Sequence, residues 1–468
     1  MISYFSRSDR QLTVLLLHVA LGAAATWLPA SIIIWIYLLL ATLVMEYVNY
    51  QNTRGAIHYF LAYYIGMEIM ARIVQASPVV PYESGKYFMF SALLLGLMST
   101  SARSRTTAGW LILLLVLPSF AVLPASITYK DLVFNVMGVI NLALAVVYFS
   151  RIRLRPDEIT ALLRIFVLGL VPVLISVILK TPDFDDLKFS LGANFSTSAG
   201  FGSNQVSTVL SLAFLILGFS LMFRIPVFRW PQLSILLFVA FFFRALLTFS
   251  RGGLVSALIV LVVVWLCAYL FFRDLLPRAL TTWRAFVGVL LVVVVFYQAN
   301  RLTSNLLLLR YQGETTATLA GKREKDLSVL TSNRFDIVMA DLRVWQTSPV
   351  MGVGPGMSKY ARAEMFNDQA AAHVEGSRLV AEHGLFGVAI LITLFVFPAY
   401  WVLREKNPYL RALQICFFSY ALLSTVHSAM RTNVTPVLYG AAVAGLANAG
   451  RARPREAKVS TIDPIKQA

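Results

Sequence analysis

Blocks of about twenty apolar residues follow one another along most of this chain, and that repetition leaves few possible folds. Such a block matches the hydrocarbon thickness of a bilayer. There, every backbone N–H and C=O must find its partner inside the protein, so only helices or closed barrels can span. The ten-residue alternation of barrel strands is missing from the sequence. The sequence therefore predicts an all-α fold: a polytopic integral membrane helical bundle of about twelve to fourteen transmembrane helices, with one large extracytoplasmic loop that itself contains helices.

Candidate spans cover 11–29, 31–49, 55–74, 87–102, 108–126, 133–149, 158–180, 205–223, 231–250, 253–272, 280–299, 385–403, 411–429 and 433–449. They divide the chain into N-terminal transmembrane helices (1–299), a large extracytoplasmic loop (300–384), C-terminal transmembrane helices (385–450) and a cytoplasmic tail (451–468). The apolar block after the basic N-terminus has no small-residue cleavage site behind it, so it reads as a retained first span.

The formal charge of +17 is spread over short loops instead of gathering into a stripe with stacking aromatics, which argues against a nucleic-acid partner. Arg7 and Arg10, Arg54, Arg103 and Arg105, Arg151, Arg153 and Arg155, Arg224 and Arg229, Arg273 and Arg278, and Arg404 all fall on one side of the predicted bundle. The positive-inside rule makes that side cytoplasmic. Loop 300–384 then lies outside, and the chain has no cytoplasmic domain able to carry a nucleotide-binding module. Cys267 and Cys416 both sit in apolar blocks, away from any disulfide or metal-ligand spacing.

Within the long loop, 334–346 reads at helical period, with Phe335, Val338, Met339, Leu342 and Trp345 on one face, suited to lie on the membrane or to cover the bundle. The glycine and proline turn 347–356 ends it. A second helix is expected from about residue 370 into the span at 385. It carries His373, whose imidazole suits a general base near the outer membrane surface. On one continuous helix, Glu382 points away from His373, so Glu382 reads as a structural hydrogen-bond acceptor, while Gly384 and Gly387 make a small-residue approach to the bundle. His383 is expected to be exposed.

Arg244 lies inside an apolar span and Arg251 at its outer end, seven residues on and so on the same helical face. A charge in such a span costs several kcal/mol unless it is paired or wet, which makes Arg244 a functional candidate; the structural alternative pairs it with a carboxylate such as Glu68. Arg251, beside Ser250 and two glycines, suits phosphate oxygens. Glu68 and Arg72, at i and i+4, could satisfy one another. Arg164 and Arg284 read as snorkelling. The Gly, Ser and Asn-rich loop 192–207 suits sugar hydroxyls or phosphate, or else Asn204 caps the helix that follows.

Taken together, Gly200 through Gln205 before a span, Ser250-Arg251-Gly252-Gly253, Arg334 through Trp345 followed by Ser348-Pro349 and Gly352 through Gly356, and His373 with Glu382, Gly384 and Gly387 resemble the bacterial O-antigen ligase and O-antigen polymerase superfamily. The resemblance implies a bacterial inner-membrane glycosyltransferase whose active site faces the periplasm and which is independent of metal and cofactor. It would move a glycan from an undecaprenyl-diphosphate carrier. His373 would activate an acceptor hydroxyl, Arg251 would hold the diphosphate, and Arg334 would meet the donor. Arg244, Ser250 and Asn204 join them as substrate-binding candidates. The residue after His373 departs from the family pattern, Val374 standing in place of Asn.

The acceptor reads first as a lipid-linked core sugar (ligase), then as a second lipid-linked repeat unit (polymerase), with protein hydroxyls a lesser variant. A non-enzymatic glycolipid transporter is the contrasting class. It would favour paired broken helices in an inverted repeat, and the sequence offers none.

Overall fold

The computed structural model describes residues 10–100, 102–124, 127–183, 186–187, 189–271, 283–367 and 374–447. His373, the basic residues at 7, 273 and 278, and the tail 451–468 lie outside the described residues. The fold is 74% helical with almost no strand, an all-α polytopic membrane protein.

In chain order the first helices are α1 (Gln11–Trp27), α2 (Ala30–Tyr50), α3 (Ala56–Ile73), α4 (Ser84–Ser99), α5 (Ala108–Val116), α6 (Tyr129–Ser150) and α7 (Pro156–Lys180). They are followed by α8 (Ser203–Met222), α9 (Pro231–Leu247), α10 (Arg251–Phe271) and α11 (Trp283–Leu302). Four short helices, α12 (Leu306–Tyr311), α13 (Thr316–Leu319), α14 (Leu327–Leu330) and α15 (Arg334–Thr347), build the long loop together with α16 (Ser358–Phe366). The chain returns through α17 (Glu375–Arg404), α18 (Pro408–His427) and α19 (Val434–Ala441).

Among the described residues, seven of these helices are long and apolar enough to cross a membrane, and four more are apolar but shorter. Most of the other blocks expected to span also form helices, but shorter or less apolar ones, and two lose regularity near their ends. Pro118 turns the end of α5 into a 3-10 turn, Leu117–Val122, and α19 ends at Ala441, short of the expected 449. α3 carries Glu68, Arg72 and His58, yet all eighteen of its residues are buried. It meets protein on every side, so lipid compatibility does not govern its composition.

α7 is the axis of the bundle. Pro156 opens it, and the Glu158 carboxylate accepts the Arg155 N–H at 2.9 Å, so its first turn is capped from the sequence itself. Its neighbours approach to backbone contact through small residues: a Cβ on Gly66 of α3 would stand 1.8 Å from Gly169 O, and one on Gly22 of α1 would stand 2.7 Å from Pro172 O. α8 packs against α9 and α10, and α10 against α18.

The two ends of the bundle differ in chemistry. At one end, β1 (Arg153–Leu154) pairs in parallel with β2 (Gly445–Leu446). Arg105 Nε donates to Ser150 O at 2.6 Å and its Nη2 to Val443 O at 2.8 Å, which ties two basic loops to the segment that follows α19. The long loop and its helices occupy the other end. Arg164 does not snorkel: it is buried and donates to Val227 O at 2.6 Å.

Candidate functional site

The site begins where α9 gives way to α10. Arg244 and Arg251 do not share one helix, because Thr248–Ser250 separate α9 from α10 and Phe249 turns through a left-handed conformation (φ 54°). Glycines at 252 and 253 let α10 start in close quarters: a Cβ on Gly252 would meet His427 Cβ at 2.5 Å, and one on Gly253 would meet Thr208 N at 2.8 Å. Arg251 is thereby held at the first position of α10, facing the long loop. Its Nη1 donates to Arg310 O at 3.1 Å, and its Nη2 to Leu330 O at 2.8 Å and Ser332 Oγ at 3.1 Å.

Arg310, at the end of α12, closes on the same spot, donating from Nε to Phe249 O at 3.4 Å and from Nη2 to Ser332 Oγ at 3.5 Å. Arg334 opens α15 beside them. Among the described residues, no carboxylate forms an ion pair with Arg251, Arg310 or Arg334. Burial first, and then the charges of Arg251 and Arg334, push Arg310 down to about 10. Burial, Arg251 and Arg431 do the same to Arg334. At working pH a guanidinium keeps its proton, so the part of these shifts that comes from the neighbouring arginines registers positive charges held close together. Such a cluster is suited to an anion with several oxygens.

The remaining candidates divide. Ser250 and Asn204 meet, with Ser250 Oγ donating to Asn204 Oδ1 at 2.6 Å; Asn204 makes no cap to α8, whose N-cap position is Gly202. Arg244 stands apart from the cluster's hydrogen bonds and instead reaches Thr181 Oγ1 at 3.4 Å and Ile178 O at 3.3 Å. Glu68 does not pair with it. Glu68 binds Arg72 at 2.8 Å, as the i, i+4 spacing allows. Arg72 also donates to Gln205 Oε1 at 2.6 Å, and Glu68 accepts Asn433 N–H at 2.9 Å.

α17 starts at Glu375, not near 370, and its first turns are locked by ion pairs. Arg378 binds Glu375 on one side and Glu382, at 2.6 Å, on the other. Glu375 Oε2 also accepts Met430 N–H at 3.1 Å, which sets the start of α17 beside Arg431. Glu382 accepts from Ser358 Oγ at 2.9 Å. His383 is buried, contrary to expectation, with its Nδ1 2.6 Å from Ser119 Oγ.

At Gly384 the helix kinks (φ 59°, ψ −136°). A kink frees backbone groups that must find partners elsewhere. The 349–354 turn supplies them: Val353 N–H reaches Ala381 O at 3.0 Å, Gly354 N–H reaches Glu382 O at 3.0 Å, and Leu385 N–H reaches Pro349 O at 2.9 Å. A Cβ on Gly387 would stand 2.0 Å from Leu379 O.

Of the two settings expected for the apolar face of α15, on the membrane or over the bundle, the structure does not show the second. Ile337, Asp341 and Val344 are buried, whereas Phe335 and Met339 are exposed. Asp341 faces inward because Arg362 of α16 forms an ion pair with it and Ser377 Oγ donates to it at 2.7 Å. Sequence reasoning missed Arg310. Its one signal was a lone arginine closing the apolar run Leu306–Leu309.

Fold and site thus define an all-α polytopic membrane protein with an uncompensated cationic cluster at the end that bears its long loop. Residues 235–392 match the family model for O-antigen ligase, which supports assigning the chain to the O-antigen ligase and polymerase family. The matched segment runs from α9 into α17 and contains Arg251, Arg310, Arg334, Glu382, Gly384 and Gly387. It supports a ligase or polymerase type of function in O-antigen assembly. No curated protein matches the chain.

Proposed function

We propose that this protein is a membrane glycosyltransferase of ligase type that moves a glycan from an undecaprenyl-diphosphate carrier to an acceptor hydroxyl on a lipid-linked core sugar, at the periplasmic face of the bacterial inner membrane. The observation that carries it is the meeting of Arg251, Arg310 and Arg334 with no carboxylate partner among the described residues. A diphosphate supplies the missing negative charge and the planar oxygen pairs that guanidinium forks fit.

In the reaction, the acceptor oxygen attacks the anomeric carbon of the donor sugar and the bond from that carbon to the diphosphate oxygen breaks. The carrier diphosphate leaves with the bonding electrons. The acceptor proton passes to the neutral imidazole of His373, the general base. Arg251, Arg310 and Arg334 stabilise the charge that grows on the leaving diphosphate, with no metal required for that role. Ser250 and Asn204 line the approach to Arg251. Arg244 serves the donor from further along, at the end of α9. Glu382, Gly384 and Gly387 act as support, seating the 349–354 turn on α17.

The test uses the full chain in liposomes with a diphosphate-linked glycan donor. His373→Ala and Arg251→Ala should leave folded protein that no longer consumes the donor; full turnover by either variant removes that residue from the mechanism. Supplying either a core glycolipid or a second lipid-linked glycan as acceptor separates ligase from polymerase. Product on the second acceptor alone would overturn the ligase assignment.

A further inference from the structure

The end of the bundle away from the long loop carries a second cationic feature. Between the loop before α5 and the last turn of α17 lies a cleft of about 280 Å³, lined by Ser104, Arg105, Thr107, Tyr400, Trp401 and Arg404, among others. Arg105 is fixed there by its bonds to Ser150 O and Val443 O, and its Cζ lies 5.4 Å from the Trp401 ring centroid. Arg404 is exposed, donates to the Tyr400 hydroxyl, and holds its Cζ 5.1 Å from that ring. Among the described residues, no carboxylate lines the cleft. Glu405, next in sequence, accepts Asn407 N–H at 2.9 Å. Burial, and after it the charge of Arg153, lowers the Arg105 guanidinium below the usual arginine value, and the charge of Glu405 opposes part of that fall.

The cleft therefore offers two guanidinium groups, neighbouring hydroxyls and two aromatic rings in one place. Its walls continue as apolar helix surface: Trp110, Leu111 and Leu114 of α5 and Val396 and Leu403 of α17 are all exposed, and α5 packs against α17. A free phosphate would use the cations but not those walls. Tyrosine, tryptophan and arginine together are the side chains that sit at a headgroup, each with an apolar body and a polar tip. Basic pockets between transmembrane helices take anionic headgroups in this way.

We propose that this cleft binds the phosphodiester headgroup of an anionic phospholipid, whose acyl chains lie along the exposed apolar sides of α5 and α17. The net negative charge of the headgroup is what the two arginines select, so a zwitterionic lipid of the same chain length binds poorly. Occupancy would brace the loop before α5 against the end of α17. The site is separate from the Arg251 cluster, so its test does not depend on glycan transfer.

The full chain, purified in detergent, is titrated with phosphatidylglycerol, with phosphatidylcholine of matched chains, and with inorganic phosphate, and bound adducts are counted by native mass spectrometry. Phosphatidylglycerol should bind in preference to phosphatidylcholine. Arg404→Gln, at an exposed position, should weaken that binding about fivefold, the effect expected of one arginine near an anionic headgroup. Arg54→Gln, in another basic loop, should not weaken it. Equal binding of the two lipids, equal loss in Arg54→Gln, no loss in Arg404→Gln, or displacement of the lipid by inorganic phosphate would each overturn the proposal. Arg105→Ala removes packing as well as charge, so Arg404→Gln carries the decision.

Discussion

Replacing Gly384 by alanine tests whether the kink in α17 is what seats the long loop. Two costs add. At φ 59° and ψ −136° the backbone is in a region that side chains other than glycine rarely enter, a strain of about 1–3 kcal/mol. The added Cβ would also stand 2.4 Å from Val350 O and 2.6 Å from Gly352 N, both backbone atoms that can retreat only if the 349–354 turn lets go of Ala381 and Glu382. Overpacking of that kind costs roughly 1–3 kcal/mol more, so the expected loss is about 2–6 kcal/mol. If the 468 residues unfold together, at about 2.1 cal/mol/K per residue, that lowers the midpoint by roughly 2–6 °C. Gly376→Ala is the matched control on the same helix, because its Cβ would meet only the Leu391 methyls, Cδ2 at 3.8 Å and Cδ1 at 3.9 Å, which are ordinary contacts. The assay is the temperature at which half of the detergent-solubilised chain stays monodisperse, with donor consumption measured on the surviving fraction. Equal midpoints for the two variants would refute the reasoning, and so would full donor turnover by a destabilised Gly384→Ala.

Arg310→Gln should abolish most donor turnover, by about 10–100-fold for the loss of one charged hydrogen-bonding group, while leaving thermal stability unchanged or raised, since it relieves repulsion with Arg251 and Arg334. A fall in stability with activity intact would mark Arg310 as structural. Arg378→Gln should behave in the opposite way, costing about 3–5 kcal/mol because Glu375 and Glu382 both lose their buried partner; an unchanged midpoint in the same assay would contradict that. Pyrophosphate should raise the midpoint of the unaltered chain and not that of Arg334→Gln, with the rise shrinking as salt is added. An equal rise in both proteins would exclude Arg334 from the anion site.

The all-α polytopic architecture was legible in the sequence, for a local reason. Block length reads as helix in lipid, and polar residues at the end of an apolar block mark where a helix emerges. What was not legible depended on which surface a helix meets. Arg244 and Arg251 read as one face of one helix because the sequence puts the junction at Gly252 and Gly253, after Arg251; the break comes earlier, at Thr248–Ser250, on a left-handed phenylalanine that no residue preference predicts. Arg310 read as part of the long loop because its role comes from α12 folding back on Phe249, a contact between residues far apart in sequence.

α15 states the same limit most sharply. Periodicity put Phe335, Val338, Met339, Leu342 and Trp345 on one face, on the rule that apolar side chains leave water, and left open whether that face lies on the membrane or covers the bundle. At the edge of a bilayer that rule loses its direction, because apolar side chains can be stable facing outward. What then decides the orientation is the polar residue that cannot face outward without losing its partner. Asp341 has two such partners, Arg362 and Ser377, supplied by helices that precede and begin the return to the membrane. Breaking that pair by Asp341→Asn should therefore loosen α15 from α16 and α17, exposing the 348–367 stretch to protease in the folded chain. If the cleavage rate stayed that of the unaltered protein, the apolar face and not the buried carboxylate would be what orients the helix.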